Sequence, residues 1–121
     1  MRDRILIPGI PLEARVGCTQ AERRDPQPIL VDIELRCDVA PAAMADAIES
    51  AIDYVSVRDQ AERVVGERPY ALIETIADGV ASALLRAFDV EQVVVRVRKP
   101  SALAGFGVPW AGVEVVRDRR G

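Results

Sequence analysis

Pro28-Ile29-Leu30-Val31-Asp32-Ile33-Glu34-Leu35-Arg36-Cys37-Asp38-Val39 is the stretch that decides the fold. Ile29, Val31, Ile33, Leu35, Cys37 and Val39 share one parity, and Asp32, Glu34, Arg36 and Asp38 share the other. A period of two marks a strand with one buried face. Cys37 falls on the apolar side, an ordinary place for a cysteine. Upstream, residues 18–27 are a polar loop or a short helical turn. Before them, residues 4–17 read as a long strand, with Leu6, Pro8, Ile10, Leu12, Ala14 and Val16 on one parity. Glu13 and Arg15 take the other parity. Pro8-Gly9 predicts a bulge or an edge within that strand.

Downstream, Pro41 closes that strand. Residues 55–66 read as a helix ending near Gly66, with Ser56 as its N-cap. Pro69 opens a second helix over 70–88, whose stripe is Ile73, Ile76, Ala77, Val80 and Leu84. Strands follow at 91–99 and 111–118. The order ββααββ predicts an α+β domain, with a four-stranded antiparallel sheet and two helices on one face. Such a sheet leaves long edges, which other copies of the chain can close.

The chain of 121 residues is one domain over 1–121 by length, able to bury roughly two thirds of its unfolded surface. It is 50% hydrophobic and 29% charged, an ordinary globular composition. A net charge of −3 argues against a phosphate-backbone partner, so no nucleic acid is expected. The opening Met1-Arg2-Asp3-Arg4 and the breaks at Pro8, Gly9 and Pro11 fit neither a signal peptide nor a membrane span. Cys18 and Cys37 form no CxxC pair and read as reduced thiols of a cytoplasmic protein.

Histidine is absent. That removes Ser-His-Asp and Cys-His nucleophiles, histidine bases and His-ligated zinc. Of sixteen basic residues, the one lysine is Lys99. In Gln92-Val93-Val94-Val95-Arg96-Val97-Arg98-Lys99-Pro100 it shares parity with Val93, Val95 and Val97. Arg96 and Arg98 go to the solvated face. A lysine rising from an apolar face is a candidate proton carrier, because such surroundings disfavour the charged form. The competing reading is a snorkelling lysine at a strand end.

Three further residues complete the candidate set. Glu74 lies in the first turns of the second helix over Ala77 and Ala81, small residues that leave room for a ligand or a neighbouring subunit. Its bland alternative is a carboxylate favoured by the helix dipole. Tyr54, at the entry to the first helix, could move a proton or stack on a flat ligand. Glu22 sits in the polar loop, where a solvated charge is the default.

Taken together, the chain resembles dihydroneopterin aldolase of folate biosynthesis over nearly its whole length. The matching pieces are Arg4-Ile5-Leu6-Ile7-Pro8-Gly9-Ile10, Gly17 with Glu22, and Gln27-Pro28-Ile29-Leu30-Val31-Asp32-Ile33-Glu34-Leu35. Ile52-Asp53-Tyr54, Tyr70-Ala71-Leu72-Ile73-Glu74 and Val97-Arg98-Lys99-Pro100-Ser101-Ala102 followed by Gly112-Val113-Glu114-Val115 complete them. The loop at 18–22 and the segment at 105–111 depart in detail from the family pattern.

The resemblance implies the tunnelling fold, in which subunits join their sheets into a ring-shaped barrel and two rings stack as a homo-octamer. It implies active sites between subunits, with Tyr54 from one chain and Glu22, Glu74 and Lys99 from its neighbour. The implied reaction is retro-aldol cleavage of a small-molecule pterin, 7,8-dihydroneopterin, without metal or cofactor. Glu74 would anchor the pterin with help from the Ile73 backbone. Lys99 would move protons with a water. Tyr54 would border the ring and help protonate the intermediate, and Glu22 would orient the lysine, the water or the substrate. Two alternatives stay open: an epimerase acting on dihydroneopterin triphosphate, for which Arg23 and Arg24 are the basic residues at hand, and a non-catalytic pterin- or purine-binding oligomer.

Overall fold

Residues 3–119 are described by the computed structural model. Met1 and Arg2, part of the N-terminal stretch read against a signal peptide, lie outside them, as do Arg120 and Gly121. Four strands, β1 (Arg4–Ala14), β2 (Gln27–Arg36), β3 (Gln92–Lys99) and β4 (Ala111–Asp118), make one antiparallel sheet in the order β1-β2-β3-β4. Between β2 and β3 come α1 (Ala40–Ala45), α2 (Tyr54–Gly66) and α3 (Ile73–Ala87). The predicted ββααββ order therefore holds, with the short α1 added; Pro41 does not close β2, which already ends at Arg36, but sits in the first turn of α1.

Period-two alternation puts Ile29, Val31, Ile33 and Leu35 of β2 and Val93, Val95 and Val97 of β3 on the covered face, all buried. Val57, Ala61, Val64 and Val65 of α2 and Ile76, Ala77, Val80 and Leu84 of α3 meet them in a single apolar cluster. Leu84 is fully buried. Its truncation to Ala would cost about 2–5 kcal/mol, a large part of a stability of about 5–15 kcal/mol. No helix among the described residues is long and apolar enough to cross a membrane.

β1 departs from the expected parity. Ile7 pairs with Ile33 and Ile10 with Val31, so Pro8 and Gly9 together face Asp32 alone. This is the bulge that Pro8-Gly9 predicts, and Gly9 takes a left-handed φ of 70° there. The extra residue shifts the phase of the strand. Ile10, Leu12 and Ala14 are buried, as expected. Before the bulge, Ile5 and Ile7 pack on the core instead, while Leu6 is 58% exposed and Pro8 is exposed. β1 also ends at Ala14 rather than 17, and Val16 forms a lone parallel bridge to Tyr70. β2 stops at Arg36, so Cys37 is buried beyond its end and Val39 is exposed at the start of α1.

Both long helices begin away from their expected starts. Asp53, not Ser56, is the N-cap of α2: its Oδ1 accepts the Val55 N–H at 2.9 Å. Ser56 lies in the first turn and donates its hydroxyl to Asp53 Oδ2 at 3.1 Å. α3 starts at Ile73 rather than 70 because Tyr70 is held in an extended contact. The Tyr70 N–H donates to Arg15 O at 2.9 Å, and Gly17 N–H donates to Tyr70 O at 3.1 Å. The Tyr70 hydroxyl is buried and donates to Val64 O at 2.6 Å; burial pushes this phenol's pKa up.

The open face of the sheet carries charge. Arg96 reaches Glu114 at 2.7 Å, and Arg4 reaches Glu34 at 3.3 Å. Arg98 is not simply solvated as its parity predicts. Its Nε and Nη2 donate to the two oxygens of Asp32 at 2.9 and 2.8 Å, and its guanidinium lies 5.6 Å from the Trp110 ring.

Candidate active site

Lys99 is the last residue of β3, just before the turn at Pro100. Strand alternation carries it past Val97 on the covered side, and its side chain is only 16% exposed. Its Nζ stands 3.8 Å from Glu22 Oε2. That is longer than a hydrogen bond, so the pair contributes little to stability.

The loop after β1 fixes Glu22 through short-range contacts. The Thr19 hydroxyl and N–H both reach Glu22 Oε1, at 3.2 and 3.4 Å, and the Glu22 N–H donates to Thr19 Oγ1 at 3.2 Å. This leaves Oε2 turned toward Lys99. Gly17 backs the arrangement: a Cβ there would lie 2.3 Å from the Glu22 Cβ, so only glycine fits. The spacing Thr19-x-x-Glu22 is the capping-box pattern, a sequence signal that could have found Thr19 in advance.

The same loop touches the approach to α3. Gly17 and Tyr70 are hydrogen-bonded, and Ile73 and Glu74 follow in the first turn of α3. Glu74 is exposed there and Ile73 is half-buried. The dipole favours a carboxylate at this position. Ala77 and Ala81 are fully buried and pack inward. The open alanine surface expected beside Glu74 is thus absent, and Glu74 projects from the helix start instead. Glu22, Lys99 and the start of α3 share one end of the sheet.

Tyr54 does not join them. It is the first residue of α2, is 63% exposed, and lines a cleft of about 370 Å³ with Ile5, Cys37, Val39, Ile52 and Asp89. Cys37 follows Arg36, which pairs with Gln92 at the start of β3. Tyr54 and Lys99 are therefore separated by the length of β3, roughly 20 Å at about 3.3 Å per residue. One small ligand cannot span both within a single chain.

Among the described residues, no cluster of three or more acidic or thiol side chains could hold a metal ion. Cys18 and Cys37 are both free, Cys18 exposed and Cys37 buried.

The family model FolB, dihydroneopterin aldolase, matches residues 5–116, a span that includes all the site candidates. The chain belongs to the dihydroneopterin aldolase family. A dihydroneopterin aldolase of Methylorubrum extorquens is 34% identical over 120 residues, covering 98% of this chain and 92% of that protein. One from Streptomyces coelicolor is 34% identical over 117 residues, covering 97% and 98%. The crystal structure of E. coli dihydroneopterin aldolase in complex with neopterin superposes with a TM-score of 0.89 at 27% identity, covering 95% of this chain and 98% of that one. The dihydroneopterin aldolase fold thus accounts for the sheet and both long helices.

Proposed function

We propose that the Glu22–Lys99 end of the sheet is one half of a dihydroneopterin aldolase site and that Tyr54 of a second copy is the other half. Family membership assigns the lyase activity. The observation that carries the residue roles is the approach of a mostly buried lysine to a carboxylate at 3.8 Å, beside the helix start that bears Glu74.

In this reading Glu74 accepts two hydrogen bonds from the N2/N3 edge of 7,8-dihydroneopterin, a bidentate, charge-assisted contact. The Ile73 backbone supports that edge. Cleavage breaks the C1′–C2′ bond. Its electrons pass into the protonated C6=N5 imine, and the 2′-hydroxyl loses its proton as glycolaldehyde forms. Lys99, working with a water, carries that proton. Tyr54 borders the ring and helps deliver a proton to C1′ of the intermediate, giving 6-hydroxymethyl-7,8-dihydropterin. Glu22 orients Lys99, the water and the substrate hydroxyls. Positioned proton transfer of this kind contributes about 10²–10⁴ in rate.

The separation of Tyr54 from Lys99 supports a site between subunits. The edge strands β1 and β4 support closure into a ring by other copies, and we take the assembly to be an octamer of two stacked rings in the cytoplasm. The same bond cleavage could end in C2′ epimerisation of a triphosphate. Of the two basic residues at hand for a triphosphate, Arg23 donates to Gly17 O at 2.8 Å.

Incubation with 7,8-dihydroneopterin and product identification tests this function. Glycolaldehyde and 6-hydroxymethyl-7,8-dihydropterin are expected. Epimer alone, or no product, overturns it.

A further inference from the structure

Gln27, the first residue of β2, touches both chain segments that deliver the Glu22–Lys99 pair. Its Nε2 donates to Val16 O at 2.5 Å, and its Oε1 accepts from Ser101 Oγ at 2.8 Å. Val16 immediately precedes Gly17, the residue whose missing Cβ admits Glu22. Ser101 lies two residues after Lys99.

Both segments lie beyond the sheet at the points where Gln27 grips them. β1 ends at Ala14, β3 ends at Lys99, and β4 begins only at Ala111. A loop end held by few bonds opens easily. A primary amide is the one side chain that supplies a donor to a carbonyl on one side and an acceptor to a hydroxyl on the other, in a single rigid plane. Glutamate keeps the acceptor but sets a charge against the Val16 carbonyl. Methionine keeps the length and loses both bonds.

We propose that Gln27 is a positioning residue, a strut between Val16 and Ser101 that holds Glu22 and Lys99 at their working separation. Its two hydrogen bonds go to Val16 and Ser101 rather than to the pair itself, so it acts through the backbones that carry Glu22 and Lys99. A misplacement of about 1 Å at a reacting group can cost on the order of 10²-fold in rate, so a strut of this kind can matter to turnover while mattering little to stability. The inference rests on the aldolase reading for its kinetic arm only.

The single lysine makes the direct test possible. In full-length protein labelled with [ε-¹³C]lysine, Lys99 gives one side-chain signal. Glu22→Gln removes the neighbouring charge and is expected to shift that signal. In the Gln27→Met background the same substitution is expected to shift it by about half as much or less, the non-additivity of coupled sites. A full-sized shift in both backgrounds overturns the proposal, as does the absence of any shift with Gln27 intact.

The kinetic arm reads kcat and KM for dihydroneopterin. Gln27→Met is expected to lower kcat about tenfold or more with KM changed less than about threefold, and to cost nothing further in a Glu22→Ala background. Equal losses in both backgrounds mean a merely structural role and overturn the proposal. Should Gln27→Met fail to fold, Ser101→Ala removes one of the two bonds and carries the same comparisons with smaller effects. A native chain without aldolase turnover would defeat the functional reading, and the NMR arm would still decide the role of Gln27.

Discussion

Lys99 and Tyr54 stand at opposite ends of one sheet, with the length of β3 between them. If both serve one reaction, they do so from different chains. Mixed assemblies make this measurable. Lys99→Ala and Tyr54→Ala chains should each be inactive alone. Co-assembled in equal amounts, about one quarter of the sites would carry neither substitution, and activity should return to that level. Mixtures that stay inactive, despite verified subunit mixing, would place both groups in one chain.

Lys99→Arg keeps the charge and removes an amine that can exchange protons readily. Turnover should fall by about two orders of magnitude or more. Binding of the dihydropterin product should weaken far less. Near-normal turnover in the arginine variant would remove Lys99 from proton transfer.

Glu74→Ala should act in the opposite sense, on binding first. Losing hydrogen bonds to a charged acceptor costs about 1.5–3 kcal/mol, or roughly tenfold to a hundredfold in Kd. Calorimetric titration with neopterin reads it. An unchanged Kd would discredit Glu74 as the anchor.

Gly17→Ala places a methyl group 2.3 Å from the Glu22 Cβ. The loop must move, at about 1–3 kcal/mol for such overpacking. Both the melting temperature and the turnover should drop. A variant matching the parent in both would mean that Glu22 has another resting place.

Asp32 gives a pH prediction on stability. Burial alone would raise its pKa, but the Arg98 hydrogen bonds, the Gly9 N–H at 2.7 Å and the charges of Arg98 and Arg96 outweigh that and leave it lowered. A carboxyl depressed in the folded state stabilises above its unfolded pKa and loses that contribution as pH falls through the folded value. The stability gap between the parent and Asp32→Asn should therefore be full near pH 7 and shrink below about pH 4. Denaturant melts across that range check it, and a gap that widens in acid would contradict the assignment.

Much of the fold was legible because β2 and β3 each bury one apolar parity, and the stripe Ile76-Ala77-Val80-Leu84 keeps helical spacing. The misreadings have local causes. At Pro8-Gly9 the bulge itself was visible, but not its effect on Leu6 and Pro8, because phase depends on how many residues face Asp32 across the ladder. The start of α3 was misplaced because Pro69 is a local signal, whereas the bonds that hold Tyr70 extended come from Arg15 and Gly17, far away in the chain. Asp53 outcompeted Ser56 as a cap for want of a clear boundary between two capping residues. Glu74, Tyr54 and Glu22 were candidates by position alone, and only family likeness gave them roles. Strand parity alone brought out Lys99, and nothing in the spacing of the sequence shows that Glu22 would meet it, or that Gln27 would reach Ser101.

The bulge in β1 bears on more than the phase of one strand. Its border is bent where Pro8 and Gly9 crowd against Asp32, and Pro8 and Pro11 bring no N–H to it. A straight, unrelated strand drifting against such a border would find its ladder broken partway along. Only a partner whose own contour follows the bend can pair along the full length. An edge interrupted in this way is a poor template for the indiscriminate strand-to-strand pairing that leads to aggregates.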